Sequence, residues 1–398
     1  MDDKNSGESD HSGQGRAMSH DGFSPDLPAA LAGKSQLRGL SWRMKLVVYM
    51  LSGMRKGSLD LTLPDGSTRR FEGSEPGPHG AWRIKSERLI GHVLTSGEVG
   101  IGDSYLDDCW DSPDLTRLLQ VLYLNEPYYK GPFEKNWIGR LYGYWRHRSK
   151  ANTRQTARRN IEHHYDLGNE FYKMWLDETM AYSSAMFIEP TQTLQDAQLN
   201  KFKLMLERLD LRPEHHLLEI GSGWGGFAIH AASHTGCRVH SITLSREQMT
   251  EARLRAARAG VADRVTFELR DYRDVQDTYD RVVSIEMYEA VGEEYWPGYF
   301  KAIAGALKPG GRAAIQGITI NPAIFDHYRS KRDFIQKYIF PGGMLCPPGL
   351  FQDLAATAGL ATDNVRFFAG DYADTLMHWH RNVLAARDHV VGQFDERF

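Results

Sequence analysis

The chain contains 398 residues, of which 41% are hydrophobic and 25% are charged, so it is long enough for two or three domains. This composition excludes a wholly disordered or fibrous protein. The 48 Lys and Arg residues nearly balance the 51 Asp and Glu residues, and the net charge of −3 argues against a strongly basic nucleic-acid-binding protein. Any anionic partner must therefore be bound by a local basic patch.

The cysteines and the apolar runs indicate the compartment. Cys109, Cys237 and Cys346 lie far apart and none belongs to a CxxC pair, so the sequence predicts neither a disulfide framework nor a thiolate zinc site. The longest apolar run, residues 46–51, is too short to span a bilayer, and we expect no N-terminal signal segment. These features favour a cytoplasmic protein that is either soluble or bound to a membrane surface.

The first third of the chain predicts a tail followed by a small domain. Residues 1–36 are rich in Gly, Ser and Asp, a composition typical of a disordered tail. Residues 37–128 predict a small α+β domain with a helix over 42–54, strands over 59–63, 68–71 and 81–84, and a loop from 97 into a short helix before 111. Because basic residues flank the first helix, it fits either an ordinary buried helix or one that faces a membrane.

Residues 129–160 form a predicted linker of unusual composition. They contain nine Lys or Arg residues and one acidic residue, Glu134, with Trp and Tyr residues interleaved. Basic and aromatic side chains together suit an anionic membrane surface. A solvated linker helix is an alternative, and RNA binding is a weaker one because no RNA-binding module surrounds the segment.

Residues 161–398 are predicted to form an α/β domain. From residue 216 onwards, apolar strands, glycine-containing turns and amphipathic helices alternate. The predicted strands cover residues 217–220, 238–244, 264–269, 281–285 and 312–320, with helices such as 246–259 and 296–307 between them. This alternation predicts a largely parallel sheet that is covered by helices on both faces.

A glycine-rich loop follows the first strand of this sheet. Gly221, Gly223 and Gly225 form a GxGxG pattern, which permits a tight turn and lets a ligand approach the backbone closely. Glu219 precedes the loop, where it can orient loop or ligand groups. A Rossmann dinucleotide site begins in a similar way, so the loop alone does not identify the ligand.

The residues after the next two strands distinguish the possible ligands. Thr243, Ser245 and Gln248 supply neutral hydrogen-bonding groups in place of the acid that usually holds an NAD ribose. Asp271 and Tyr272 follow the third strand, where they can bracket an adenine. Together these residues favour S-adenosylmethionine over NAD as the cofactor.

Five motifs in chain order resemble the cyclopropane-fatty-acyl-phospholipid synthase family. They are NIEHHYDLGNEFY (160–172), AYSSAMF (181–187), LEIGSGWGG (218–226), SIEMYEAVG (284–292) and KYIFPGGML (337–345), and the resemblance covers residues 40–398. It implies a seven-stranded Rossmann-like methyltransferase domain in residues 161–398 and a lipid-engaging domain in residues 37–128. It also implies S-adenosylmethionine as the one-carbon donor, with Tyr165 of the first motif assigned to the cofactor site.

The resemblance further implies the substrate and the location of the enzyme. The expected substrates are unsaturated acyl chains of membrane phospholipids, and the expected location is peripheral, at the inner face of the membrane. The linker of residues 129–160 would then meet an anionic membrane surface. A homodimer is left open.

The implied reaction makes three demands on the protein. An isolated alkene is a weak nucleophile, so it must be held in line with the donor methyl group in a dry apolar tunnel. Attack leaves a carbocation that aromatic faces can stabilise, and a base must then remove a proton. The aromatic candidates are Tyr165, Tyr182, Phe187, Tyr288 and Trp379.

In the family the base is a bound bicarbonate, and the resemblance implies which residues hold it in this chain. Glu289 and Tyr372 match the glutamate and the tyrosine of that site. Ser184 stands where many members have a cysteine and Gln316 where they have a histidine, although both can donate hydrogen bonds. Glu286 is an alternative carboxylate, and Glu289 can alternatively be only a helix cap.

Three functional interpretations stay open. Ring closure to a cyclopropane fatty acid is the first choice, and a methylene- or methyl-branched chain formed through the same cation is the second. The third is a catalytically inactive protein that binds lipid or S-adenosylmethionine, suggested by Ser184, Gln316 and an end at Phe398 before the family's usual last helix. We predict no metal site and interpret His163 and His164 as hydrogen-bonded structural residues.

Overall fold

The computed structural model describes residues 39–97, 99–129 and 168–394, and the chain divides into two compact units between residues 136 and 137. This division falls within the predicted linker. Residues 130–160 of the linker lie outside the described residues, as do the predicted tail, Tyr165, His163 and His164.

The first unit contains a four-stranded mixed sheet. Its elements are α1 (Trp42–Leu51), β1 (Lys56–Thr62), β2 (Thr68–Glu72), β3 (Glu75–Ile84), α2 (Arg88–Ser96), α3 (Val99–Leu106), β4 (Trp110–Asp111) and α4 (Leu115–Asn125). The strand order is β2-β1-β3-β4, with β1 antiparallel to β2 and parallel to β3. The turn between β1 and β2 contains Gly66 at a φ angle of +82°, which confirms the predicted strand-turn-strand unit.

Helix α1 belongs to the hydrophobic core of the first unit. It begins after Ser41, whose side chain accepts a hydrogen bond from the Met44 amide. Its buried residues, Met44, Leu46, Val47, Val48 and Leu51, pack in one cluster with apolar residues of β1 and β3. Of the two alternatives, the ordinary buried helix therefore describes α1.

The second unit contains a five-stranded parallel sheet. Its strands are β5 (His216–Ile220), β6 (Arg238–Thr243), β7 (Val265–Leu269), β8 (Tyr279–Ile285) and β9 (Leu307–Gln316), in the order β7-β6-β5-β8-β9. The chain moves outwards from β5 in one direction and then from β8 in the other. Ligands of open α/β sheets bind at this kind of reversal, beyond the carboxyl ends of the strands.

The described residues contain five strands in this sheet, where the resemblance implied seven. Strand β9 ends at Gln316, short of the predicted end at residue 320, and beyond it Thr319 makes only an isolated bridge to Cys346. Residues 361–368 adopt no strand. The predicted α/β class with a smaller N-terminal α+β unit is nevertheless confirmed.

Helices cover both faces of the parallel sheet. They are α5 (Asn169–Lys173), α6 (Leu194–Leu209), α7 (Gly226–Thr235), α8 (Arg246–Arg258), α9 (Trp296–Ala306), α10 (Pro322–Ser330), α11 (Pro348–Thr357), α12 (Ala369–Ala385) and α13 (Arg387–Gln393). Leu217 and Val283 pack in one hydrophobic cluster, whereas Leu218 and Val282 pack in another. Because neighbouring strand residues point to opposite faces, both faces of the sheet are apolar and buried.

The helices of the described residues are short. The longest, α12, has 17 residues. Within the described ranges, no helix combines the length and the apolar character that crossing a membrane requires.

Candidate active site

The glycine-rich loop connects β5 to α7, and its glycines serve different purposes. Gly221, Gly223 and Gly225 adopt φ angles of +95°, +47° and +81°, where a side chain would strain the backbone. A Cβ atom at Gly223 would meet no protein atom within 4 Å, whereas one at Gly225 would lie 2.9 Å from the Phe267 ring. Gly223 therefore leaves room for a ligand, and Gly225 allows the helix to pack closely against the sheet.

Two side chains hold this loop in place. Arg255 donates one hydrogen bond to the Trp224 carbonyl and one to the Glu178 carbonyl, both at 2.7 Å. The indole nitrogen of Trp224 donates to Asn169 Oδ1, also at 2.7 Å. Nothing in the sequence pattern identified Arg255, because no local spacing connects a residue of α8 to the loop.

Glu219 is enclosed at the end of β5, with 3% of its surface exposed. Its Oε2 atom is hydrogen-bonded to Ser241 Oγ, which also lies 2.7 Å from Ser222 Oγ in the loop. Burial raises the pKa of Glu219 to about 8, so the carboxyl group is largely protonated at neutral pH. This chain of hydrogen bonds connects β5 and β6 to the glycine-rich loop.

Thr243, Ser245 and Gln248 form one buried hydrogen-bonded group after β6. Ser245 is the N-cap of α8, since its hydroxyl accepts a hydrogen bond from the Gln248 amide at 3.2 Å. Thr243 Oγ1 accepts a hydrogen bond from the Ser245 amide at 3.1 Å and donates to Gln248 Oε1 at 3.2 Å. These bonds give the three residues a structural role, and their contact with a ribose stays a prediction.

Asp271 and Tyr272 follow β7 at the same edge of the sheet. The Asp271 carboxylate is paired with the Arg273 guanidinium through Oδ1–Nε (2.8 Å) and Oδ2–Nη2 (2.5 Å) contacts. The Tyr272 ring packs edge-on against Tyr299, with ring centroids 5.6 Å apart. An adenine amino group at Asp271 would therefore share the carboxylate with Arg273.

The edge of the sheet that carries these groups fits S-adenosylmethionine. Open space at Gly223 lies where the strand order reverses, between β5 and β8, and polar groups end β5, β6 and β7 on one side of this point. A Cβ atom at Gly221 would lie 3.2 Å from Met287 Cγ, so the residues that follow β8 contact the same loop. A cofactor held there would therefore be next to the segment that begins at Glu286.

Glu286 is the centre of a hydrogen-bond network beside this loop. Its Oε1 atom accepts hydrogen bonds from the Ser184 amide and from Gln316 Nε2, both at 2.8 Å. Its Oε2 atom accepts one from the Tyr372 hydroxyl at 3.3 Å. Three of the four predicted catalytic residues thus come together around the carboxylate that had been the alternative to Glu289.

The backbone of Glu286 is also constrained. Its φ angle is +48°, in the left-handed region that costs a residue with a side chain about 1–2 kcal/mol. Its amide donates to the Gln316 carbonyl at 2.8 Å, so Gln316 contacts both the main chain and the side chain of Glu286. Backbone strain of this kind is concentrated at functional sites.

A buried lysine supplies positive charge to this network. Lys201 in α6 is 1% exposed and donates a hydrogen bond to Ser183 Oγ at 2.7 Å. Burial lowers the pKa of Lys201 to about 8, and attraction to Glu286 and Asp177 opposes this effect. Burial raises the pKa of Glu286, while Lys201 and the three hydrogen bonds oppose that change. Lys201 was not predicted, because a helical pattern does not reveal that a lysine is buried.

Glu289 lies in a poorer environment for a charge. Its Oε1 atom accepts a hydrogen bond from the Ile318 amide, and its buried Oε2 atom has no hydrogen-bond partner within the described residues. Burial, together with the charge of Glu286, raises the pKa of Glu289 to about 8. At neutral pH Glu289 is therefore largely a neutral group that anchors the chain after β9.

An aromatic cluster extends from the loop to Tyr372. The ring centroids of Tyr172 and Trp224 are 4.7 Å apart, those of Tyr182 and Trp379 are 5.3 Å apart, and those of Tyr372 and Trp379 are 6.4 Å apart. Tyr182 and Trp379, two of the predicted cation-stabilising residues, belong to this cluster.

The other two described aromatic candidates have different surroundings. The Phe187 ring stacks on His378, with centroids 5.4 Å apart. Tyr288 is 1% exposed, and its hydroxyl donates to the Ile318 carbonyl at 2.7 Å. Tyr288 is therefore a structural residue of the core.

Helix α12 positions the segment that carries Ser184. Thr375 Oγ1 accepts a hydrogen bond from the Ala185 amide at 3.0 Å, and Asp371 Oδ1 accepts one from the Phe187 amide at 2.6 Å. Because Tyr372 lies on the same helix, α12 orients both the Tyr372 hydroxyl and the Ser184 amide towards Glu286. Asp371 and Thr375 were not predicted, although they belong to the same short segment as Tyr372.

Known proteins resemble this chain over most of its length. A family profile described as mycolic acid cyclopropane synthetase matches residues 152–398. Tuberculostearic acid methyltransferase UfaA1 of Mycobacterium tuberculosis is 40% identical over 323 residues, which cover 79% of this chain and 75% of that protein. The cyclopropane-fatty-acyl-phospholipid synthase of Escherichia coli is 33% identical over 322 residues, which cover 79% of this chain and 80% of that protein.

A solved structure with a similar fold is that of mycolic acid cyclopropane synthase CmaA1 complexed with SAH and CTAB. The TM-score is 0.56 and the sequence identity is 29%. The match covers 60% of this chain and 87% of that one.

Proposed function

Because the chain belongs to the mycolic acid cyclopropane synthetase family of S-adenosylmethionine-dependent methyltransferases, we propose that it acts on unsaturated acyl chains of membrane phospholipids. It transfers a one-carbon unit to the double bond and forms a cyclopropane fatty acid. One observation carries the proposal: Ser184, Gln316 and Tyr372 converge on the half-buried carboxyl group of Glu286 beside the glycine-rich loop. Methyl transfer to an alkene needs such a group to accept a proton afterwards.

The cofactor site is proposed at the carboxyl ends of β5, β6 and β7. When bound there, S-adenosylmethionine supplies an electrophilic methyl group. Gly223 leaves space for it, Glu219 orients the loop through Ser241 and Ser222, and Asp271 is the proposed partner of the adenine. Arg255 holds the loop in position through its hydrogen bond to the Trp224 carbonyl.

Stabilisation of the substrate cation is proposed for the aromatic cluster. Aromatic faces stabilise a nearby cation by about 0.5–2 kcal/mol. Tyr182 and Trp379 support this role, since their rings pack together between Tyr372 and the residues next to the loop. Apolar walls of this kind also keep water away from the cation.

A methylene- or methyl-branched product is the second candidate. The specific observation in its favour is the higher identity to tuberculostearic acid methyltransferase, 40%, than to the cyclopropane synthase, 33%. The cyclopropane and the methylene-branched chain arise from one cation, which either closes a ring or first shifts a hydride and then loses a proton. They therefore need the same cofactor site and the same kind of base. A methyl-branched chain would need a separate reductase to reduce the methylene group afterwards.

Binding to an anionic membrane surface is proposed for residues 129–160. Their nine basic residues and single acidic residue support it, because each cation near such a surface contributes about 1 kcal/mol. Binding to vesicles should weaken steeply with added salt and with charge reversal at Arg140, Arg146, Arg148, Arg158 and Arg159. Binding that depends neither on salt nor on anionic lipid would show that the segment is only a linker.

The proposed reaction is tested on vesicles of a monounsaturated phospholipid with methyl-¹³C S-adenosylmethionine. We expect label in the acyl chain, a mass gain of one CH2 and ring-methylene signals in the proton NMR spectrum of the extracted lipid. Exomethylene signals instead would select the branched product. Tight cofactor binding without any label transfer would contradict both products and favour the inactive binding protein.

A further inference from the structure

The hydrogen-bond donors expected to hold bicarbonate are already bound to a side chain. Ser184, Gln316 and Tyr372 were assigned to the bicarbonate site by resemblance, yet all three donate to Glu286. Bicarbonate presents the same pair of acceptor oxygens as a carboxylate, so the two would compete for the same donors. These residues therefore do not fit a bicarbonate ion while Glu286 is present.

We propose that the Glu286 carboxylate takes the place of bicarbonate in this enzyme and accepts the proton from the methylated substrate cation. This inference rests on the proposed function. It assigns the base to the chain itself, whereas the resemblance implied a bound ion held by Glu289.

The position of Glu286 supports this role. It directly follows β8, the strand next to β5, and the next residue, Met287, contacts the glycine-rich loop at Gly221. The carboxylate is therefore close to the loop that is proposed to hold the methyl donor. Glu286 adopts a φ angle of +48°, which is strained for glutamate but which glycine would adopt without cost. Strain of this kind is concentrated at functional sites.

The two oxygens of Glu286 are used differently. Oε1 accepts two N–H donors at 2.8 Å, which fix the orientation of the carboxylate. Oε2 accepts one longer bond within the described residues, from Tyr372 at 3.3 Å. A carboxylate oxygen can accept two hydrogen bonds, so Oε2 retains a lone pair and is the proposed proton acceptor.

Glu289 is less suited to the same role. Glu286 receives three hydrogen bonds and the attraction of Lys201, whereas Glu289 receives one bond, from the Ile318 amide, and repulsion from Glu286. When two carboxyl groups are this close, the one with more donors and a cation keeps the charge. A base must be ionised before it can accept a proton.

The chemical balance of the step is simple. The π electrons of the alkene would form the bond to the methyl carbon while the bond from that carbon to the sulfonium sulfur breaks and the sulfur keeps its electron pair. The other alkene carbon would then become positive. In ring closure, the electron pair of one methyl C–H bond forms the bond to that positive carbon, and the proton moves to Glu286 Oε2. Glu286 becomes a neutral carboxylic acid, which must return its proton to solvent before the next turnover.

Three variants of the full chain test this proposal. Glu286→Gly removes the carboxylate, leaves space among its three donors and suits the φ angle, so the fold should persist. Glu286→Gln fills the same space without a base, and Glu289→Gln is the matched carboxyl-to-amide change at the neighbouring group. Turnover is measured in bicarbonate-depleted buffer and after addition of bicarbonate, and the melting temperature is measured under both conditions.

We expect wild-type turnover to change by less than about twofold on addition of bicarbonate. Glu286→Gln and Glu286→Gly should each lose about 10²-fold or more, as expected for a missing base. Added bicarbonate should restore turnover at least about tenfold in Glu286→Gly only and should raise the melting temperature of that variant only. Glu289→Gln should lose less than about tenfold.

Two results would overturn the proposal: strong bicarbonate dependence of the wild type, or near wild-type turnover of Glu286→Gly without bicarbonate. If the wild type transfers no label in either buffer, the proposed function itself fails. The melting temperatures then still decide whether Glu286 fills an anion site, because they need no turnover. If bicarbonate raises the melting temperature of the wild type, or raises that of neither the wild type nor Glu286→Gly, Glu286 does not fill an anion site.

Discussion

Two carboxyl groups lie at neighbouring strand ends of one sheet, and their surroundings differ in hydrogen-bond donors and in nearby charge. Glu219 at the end of β5 is hydrogen-bonded to one hydroxyl, that of Ser241, and burial raises its pKa to about 8. Glu286 after β8 is half-buried and receives two N–H donors, one O–H donor and the attraction of Lys201, which oppose the rise of its pKa. Hydrogen-bond donors and a nearby cation favour the charged form of a carboxyl group, so these surroundings support the proposed role of Glu286 as the base.

This difference separates two tasks within one site. A largely neutral carboxyl group such as Glu219 can hold a loop in place without placing a negative charge beside it. The proposed base, Glu286, must instead be ionised before it can accept a proton. Environments that push the pKa values of two similar groups apart are a common way of assigning such roles in enzymes.

The largest expected effect is on cofactor binding by the glycine-rich loop that Glu219 holds in place. Gly223→Val introduces a side chain at a φ angle of +47° and into the open space of the loop. We expect it to weaken S-adenosylmethionine binding by about 10²-fold or more in calorimetry. Gly305→Val is the matched control, because a Cβ atom at Gly305 also meets nothing within 4 Å but lies in α9 without a positive φ angle. If both variants bind S-adenosylmethionine as tightly as the wild type, the loop is not part of the cofactor site.

An intermediate effect is expected from the cation that supports Glu286. Lys201→Met removes the charge that opposes the raised pKa of Glu286, so that pKa should rise further. Because the base must be ionised, turnover should fall about three- to tenfold below neutral pH, and the acid limb of the pH profile should move to higher pH. The other titratable groups near Glu286 are Tyr372 and Glu289, and Asp177 interacts with Lys201; the substitution leaves all three in place.

Lys203→Met is the matched control for this prediction, since Lys203 lies on the same helix but is exposed. Its pH profile should coincide with that of the wild type. If Lys201→Met lowers turnover equally at all pH values, Lys201 only supports the structure around Ser183.

The smallest effect is expected on stability, at Glu219. The pKa of this group is raised from 4.5 to about 8 on folding, so the folded protein binds more protons than the unfolded chain between these values. The free energy of unfolding of the wild type should therefore fall as pH rises from about 4.5 to 8 because of this group. Glu219→Gln should show less of this fall in urea denaturation, whereas an unchanged pH dependence would mean that Glu219 is ionised in the folded state.

The alternation of strands, turns and helices was sufficient to predict the parallel sheet of the second unit. Its five strands could be recognised from local patterns, such as the adjacent apolar residues Leu217 and Leu218, which pack on opposite faces of the sheet. The glycine-rich loop could also be predicted from the sequence, because glycine readily adopts the positive φ angles found at Gly221, Gly223 and Gly225.

The network around Glu286 could be predicted only in part. Ser184, Gln316 and Tyr372 were found through motifs, but the carboxylate that joins them depends on contacts across 102, 30 and 86 residues of chain. Lys201 was missed for the same reason, since its burial results from the packing of α6 and not from any local spacing. Sequence patterns identify the groups, whereas tertiary packing decides which of two nearby carboxyl groups receives the donors.

The protonation state of Glu286 in the folded protein is the most direct test of its proposed role. It can be read from a ¹³C NMR titration of protein with carboxyl-labelled glutamate, in which Glu286→Gln and Glu289→Gln assign the two signals. We predict that at neutral pH the Glu286 signal is that of a carboxylate, and that the Glu289 signal is that of a neutral carboxyl group which ionises at a pH of about 8. A neutral Glu286 beside an ionised Glu289 would contradict this assignment.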